Sequence, residues 1–138
     1  MYDRLLVAVD HSEVSGRVLA AARDLATLSK GKVWVLHLRE REIIAQMGQV
    51  PSETDQQAHQ SVDDGVAELK KAGIDAQGEV RQTVFGHAAR EIVADAKEHN
   101  ADVIIMGSRG RNDFAGALLG STAHKVIHLT DRPVLVIR

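Results

Sequence analysis

Asp102-Val103-Ile104-Ile105-Met106-Gly107-Ser108-Arg109-Gly110 is the stretch on which the fold turns. Four consecutive large apolar residues with no polar alternation read as a strand covered on both faces, as in the middle of a parallel sheet. The run breaks at Gly107 into a glycine-bearing loop. In an open α/β sheet ligands bind beyond the carboxyl ends of the strands, so the loop after this strand is the first place to look for a site.

Moving toward the carboxyl terminus, the loop leads to a helix with Val126, Ile127 and Leu129 expected on one side, then to a closing strand, Pro133-Val134-Leu135-Val136-Ile137. Moving the other way, Gly86 starts a helix with Ala88, Ala89, Ile92, Val93 and Ala96 as its buried side and His99 and Asn100 at its end. Before it, Ile74 to Val84 alternates only loosely and contains Gly78, which suits an edge strand. Ser52-Glu53-Thr54-Asp55 begins a helix faced by Ala58, Val62, Val66 and Leu69 and ended by Gly73. Lys32 to Leu38 is a strand, followed by a long charged connection from Arg39 to Pro51; residues 40–51 are expected to form a mobile lid. At the start, Leu5-Leu6-Val7-Ala8-Val9 is a second uninterrupted apolar strand stopping at Asp10. Ser12 and Glu13 suit the start of the next helix, whose stripe is Val14, Val18, Ala22, Leu25 and Leu28. The order β-α-β-α-β-α-β-α-β predicts one domain over 1–138: an open, doubly wound, five-stranded parallel sheet with helices on both faces.

Composition narrows the class. The chain has 138 residues, 44% hydrophobic and 26% charged, enough for one buried core. A formal net charge of -2 with scattered Lys and Arg argues against nucleic acid as a partner. There is no cysteine, which removes thiolate metal sites and thiol nucleophiles and fits a reducing compartment; the cytoplasm is expected. The opening Met1-Tyr2-Asp3-Arg4 carries an acid and leads into too short an apolar run for a targeting segment, and no stretch nears the ~20 residues of a membrane span.

Gly107, Gly110, Gly116 and Gly120, with the hydroxyls of Ser108, Ser121 and Thr122 among them, describe a phosphate cradle. Glycine permits positive φ and close backbone approach to an anion, and a following helix start adds its dipole and free N–H groups. The plainer reading is that these glycines turn a corner and Ser121 caps a helix. Asp10 either caps the first helix or touches the ligand, and the two roles can coexist. Arg109 and Arg111 either screen phosphate charge or are solvated. Of seven histidines, His11 and His37 lie near strand ends and His124 and His128 stand one helical turn apart, yet no acid completes a His-Glu-x-x-His pattern and no dedicated metal site is expected.

Gly107-x-x-Gly110, nine residues, then Gly120-Ser121 resembles the nucleotide signature of the ATP-binding branch of the universal stress protein family. The resemblance runs the length of the chain, through Val9-Asp10-His11-Ser12, Ile105-Met106-Gly107-Ser108 and Arg132-Pro133-Val134-Leu135-Val136. It implies a Rossmann-like fold with Asp10 beside the adenosine, Ala8, Val9 and Leu38 against base or ribose, and Met106 with Gly107 as the other wall. The phosphates fall to Gly110, Gly120, Ser121 and Thr122, with Arg109 beside them and Mg²⁺ or Mn²⁺ carried by the phosphates. Arg109 stands where a histidine is frequent and Thr122 where a small aliphatic residue is frequent; neither alters the spacing. The resemblance also implies a homodimer through Val134 to Ile137.

A receiver domain shares this winding, but strand one ends in a single acid and Gln82-Thr83 offers no phosphoacceptor. A flavodoxin-like carrier needs its phosphate loop after strand one, where Asp10-His11-Ser12-Glu13 has no glycine. An ATP hydrolase needs strong neutralisation at the γ-phosphate, and no P-loop lysine stands near the glycines. The expected function is therefore an adenine-nucleotide-binding stress-response sensor or regulator with slow or no hydrolysis; the alternatives are a weak ATPase and a nucleotide-free dimerisation module.

Overall fold

β1 (Arg4–Val9) occupies the middle of the sheet because its apolar run is buried on both faces: Leu5, Leu6 and Val7 are each at most 1% exposed. The computed structural model describes residues 1–10, 14–51, 53–109 and 119–138. On one side β1 pairs in parallel with β2 (Lys32–Ile44), and β2 in turn with β4 (Ala76–Val84). On the other it pairs with β5 (Val103–Gly107), which pairs with β6 (Val134–Ile137). The winding therefore reverses between β1 and β5, where open sheets bind ligands. β4, with Gly78 in it, is an edge strand as expected.

Side-chain alternation along the strands divides the core in two. Odd-numbered residues of the central strands (Leu5, Val7, Val33, Val35, Val103, Ile105) pack against α1 (Ser15–Ser29) and α2 (Asp55–Lys71). Even-numbered ones (Leu6, Leu36, Ile104, Met106) pack against α3 (Ala88–Glu98) and α4 (Ser121–Leu129). α2 starts on a reciprocal cap: the Thr54 hydroxyl accepts from Gln57 N–H and the Gln57 side chain accepts from Thr54 N–H, about 1 kcal/mol of helix stability.

Three expectations need correction. The connection after Leu38 is not a loop: β2 continues to Ile44, turns, and returns as β3 (Gly48–Pro51), antiparallel to it, so the sheet has six strands and is mixed. The strand propagates because β4 pairs with β2 without a break as far as Arg41↔Val84, and Gly48, at φ +72°, closes the hairpin in a conformation other residues resist. Leu28 is 84% exposed; the stripe of α1 is Val18, Ala22 and Ala26, spaced by four, which turns Leu28 outward. On α4, Val126 is buried with Ala123, whereas Ile127, turned 100° from Val126, and Leu129, the last residue of the helix, are about half exposed. Ser12, Glu13 and Ser52 lie outside the described residues, as do Gly110, Arg111 and Gly116.

Candidate functional site

The carboxyl ends of β1, β2 and β5 open into a cavity of about 470 Å³. Its floor is apolar: Ala8 from β1, Leu36 and Leu38 from β2, Met106 from β5, with Ala89 and Ile92 of α3 as the far wall. Ser121 and Thr122 line the opposite end. They are the first two residues of α4, and Gly120 is its N-cap, so the amide groups at 121, 122 and 123 precede any intrahelical acceptor. Of the expected site residues, Ala8, Val9, Asp10, Leu38, Met106, Gly107, Arg109, Ser121 and Thr122 line this one cavity. Gly110 lies outside the described residues.

Gly120 departs from the expected conformation. Its φ of -71° is ordinary extended backbone, open to any residue, and its N–H donates to the Ser108 carbonyl. Gly120 anchors the start of α4 rather than offering a donor to the cavity. Asp10 meets the helix that follows it through Ser15: its N–H donates to Ser15 Oγ at 2.9 Å, and the same hydroxyl lies 2.7 Å from the Asp10 carbonyl and 2.9 Å from Oδ1. The carboxylate therefore stands at the cavity with its position fixed from α1.

Charge is unevenly distributed around the cavity. Asp10, Glu40, Glu42 and Glu53 line it toward β2, whereas Arg109 and Lys125 line it together with Ser121 and Thr122. Burial, then the charges of Asp10 and Glu42, push the Glu40 carboxyl above the usual carboxylate range, with His37 opposing. His37 is itself 3% exposed. Its Nδ1 donates to the Val9 carbonyl at 2.8 Å, since a carbonyl can only accept, and its Nε2 meets Glu53 just ahead of α2. This histidine ties the end of β1 and the middle of β2 to the residues just ahead of α2.

Glu40, Glu42, Lys125, Phe85 and the α3 wall carry no motif. One signal for them exists: Leu36, Leu38, Glu40 and Glu42 share a face of β2 by strict alternation, visible only once the strand is known to continue past Leu38. Lys125 follows Ser121 by four residues, one helical turn along α4.

Residues 1–138 match the model of the Universal stress protein family from end to end. Universal stress protein YxiE of Bacillus subtilis is 31% identical over the whole of both chains. Universal stress protein MJ0577 of Methanocaldococcus jannaschii is 26% identical over all of this chain and 96% of its own. The solved structure of MJ0577 superposes with a TM-score of 0.81 at 25% identity, covering 99% of this chain and 96% of that one. A universal stress protein from Archaeoglobus fulgidus, solved in complex with dAMP, gives a TM-score of 0.75 at 26% identity over 99% and 98%. The match covers the chain from its first residue to its last, and the chain belongs to the universal stress protein family.

Proposed function

We propose that the chain binds ATP, with adenosine on the apolar floor and the phosphates at the start of α4. The observation that carries this reading is the polarity of the cavity. Its β2 side offers apolar contact and carboxylate acceptors suited to the ribose hydroxyls and amino group of adenosine; its α4 side offers a helix N-terminus, two hydroxyls, Arg109 and Lys125. An anionic tail has one favourable end to choose. The relative solved with dAMP supports an adenine nucleotide as the ligand class. Gly110, outside the described residues, keeps the phosphate-binding role that the family resemblance implies, and Mg²⁺ or Mn²⁺ would enter with the phosphates rather than on a site of its own.

The protein acts in this reading as a cytoplasmic nucleotide-dependent sensor or regulator and turns ATP over slowly or not at all. It pairs as a homodimer through β6, and the β2–β3 hairpin, which carries Glu40 and Glu42 along the cavity, responds to the bound nucleotide.

The test is calorimetric titration of ATP, ADP and adenosine into wild type, Ser121→Glu, Lys125→Ala and Asp10→Ala. A carboxylate at the first position of α4 suits the helix dipole, so Ser121→Glu should fold normally while losing ATP about 100-fold and adenosine little. Lys125→Ala should weaken ATP about tenfold and spare adenosine. Asp10→Ala should weaken all three ligands alike. ATP binding unchanged in a folded Ser121→Glu protein would show that the phosphates lie elsewhere.

A further inference from the structure

A second cluster of chemistry sits under α3, nearer the amino ends of the strands, and none of its residues lines the nucleotide cavity. Asp95, fully buried on α3, is held from two sides: Trp34 Nε1 donates to Oδ2 at 3.0 Å and Arg81 Nη1 to Oδ1 at 2.9 Å. Arg81 also reaches Glu98 at 3.3 Å and Glu91 at 3.6 Å, and Glu79 brings a carboxylate oxygen to within 4.8 Å of Asp95. Three carboxylates thus meet one guanidinium. His99, one helical turn after Asp95, brings its Nε2 to 3.4 Å from Asp95 Oδ1 and 3.9 Å from Glu79 Oε1.

We propose that Glu79, Asp95 and His99 form a binding site for a divalent transition-metal ion, with Zn²⁺ as the best chemical match. One ligand atom from each of the three lies within 4.8 Å of the others. An ion bonded at about 2.1 Å in tetrahedral geometry holds its ligand atoms about 3.4 Å apart, so the His99–Asp95 spacing already suits it and the half-exposed Glu79 needs only to swing inward. One imidazole and two carboxylates is a borderline donor set that favours Zn²⁺ over Mg²⁺ or Ca²⁺ and leaves a fourth position for water.

The surroundings are those of an oriented site. The His99 ring stacks on Trp34 with centroids 3.8 Å apart, and the indole N–H fixes the far oxygen of Asp95, leaving Oδ1 turned toward His99 and Glu79. Oδ1 has a second lone pair besides the one Arg81 uses. Trp34 and His99 border a hollow of about 230 Å³ with Arg4, Lys32 and Gln77, which provides a path in.

The experiment is titration of Zn²⁺ into the chelator-treated, nucleotide-free protein, beside His99→Gln and Glu79→Gln. Both side chains are partly exposed, and neither change empties the core. One ion per chain is expected in wild type, with affinity lowered at least tenfold in each variant and ATP binding unchanged in both. Co²⁺ added to wild type should broaden the ring resonances of His99 and leave those of His59, His124 and His128 sharp, a readout that does not depend on the variants folding. No Zn²⁺ uptake, uptake undiminished in either folded variant, or Co²⁺ broadening centred on another histidine would each overturn the proposal.

Discussion

Glu40, half-buried on β2, carries a stability cost. Its carboxyl is raised by burial and by Asp10 and Glu42, so folding favours the protonated form. A carboxyl whose folded pKa lies above its unfolded value stabilises the fold at low pH and loses that contribution as pH rises from the ordinary carboxylate range through the raised one. Glu40→Gln cannot ionise and should escape the loss. The variant should gain up to about 1 kcal/mol over wild type at pH 7, a figure already reduced for solvent screening at a half-exposed side chain, and nothing at pH 4. Urea midpoints at the two pH values would check this; equal midpoints at pH 7 would deny that the carboxylate is strained. At this scale the sequence is informative where a residue ends a strand or starts a helix. Asp10, Met106, Gly107 and Ser121 stand at such places. Glu40 and Lys125 stand inside elements and Phe85 in the turn after β4, and only the folded register brings them to the cavity.

β4 is the element whose pattern is hardest to read, and its register says why. Gln77, Glu79 and Arg81 lie on the α3 side, opposite Trp34, Leu36 and Leu38 of β2, so its inward face is polar and is satisfied by the carboxylates of α3 rather than by apolar packing. An alternation of hydrophobic and polar residues cannot report a face held by ions. Gly78 points the other way, toward α2. A Cβ there would stand 2.6 Å from Val62 Cγ1 and 2.7 Å from the Val35 carbonyl, so any side chain must push α2 off the sheet. Gly78→Val should therefore cost about 2 kcal/mol or more, read as a lowered urea midpoint with an unchanged slope. A wild-type midpoint would mean that α2 rides higher on β4 than described. The β2–β3 hairpin escapes sequence reading for a different reason: Arg39 to Glu42 looks like solvated charge, and pairing with β4 along one edge, out of sight in the local sequence, keeps it extended.

For the whole molecule, the doubly wound plan was legible because β1 and β5 are unbroken apolar runs and the glycine loop marks where the winding reverses; the sixth strand was not. One edge of the sheet, β6, pairs among the described residues only with β5 and shows Leu135 at 39% exposure. Nearby in sequence, Ile127 and Leu129 of α4 are about half exposed. Apolar side chains along an open edge favour the pairing of two copies, because burying them removes both the edge and the greasy surface. Ile137 packs on the core, so Leu135→Lys is the cleaner probe. Wild type should run as a dimer in light scattering at micromolar concentration and Leu135→Lys as a folded monomer; a wild-type monomer would refute pairing at β6. β2 itself has one further consequence, best put mechanically. It is clamped by β1 as far as His37 and by β4 as far as Arg41, and beyond Arg41, among the described residues, only β3 pairs with it. The strand is a cantilever. With about 3.3 Å per residue, its free end reaches roughly 10 Å past the last clamp, so a tilt of a few degrees at Arg41 moves the tip by less than an ångström. Whatever load a bound molecule places on Glu40 and Glu42 falls beside the clamp, where a beam is stiffest, and is felt as torque at the root rather than as travel at the tip.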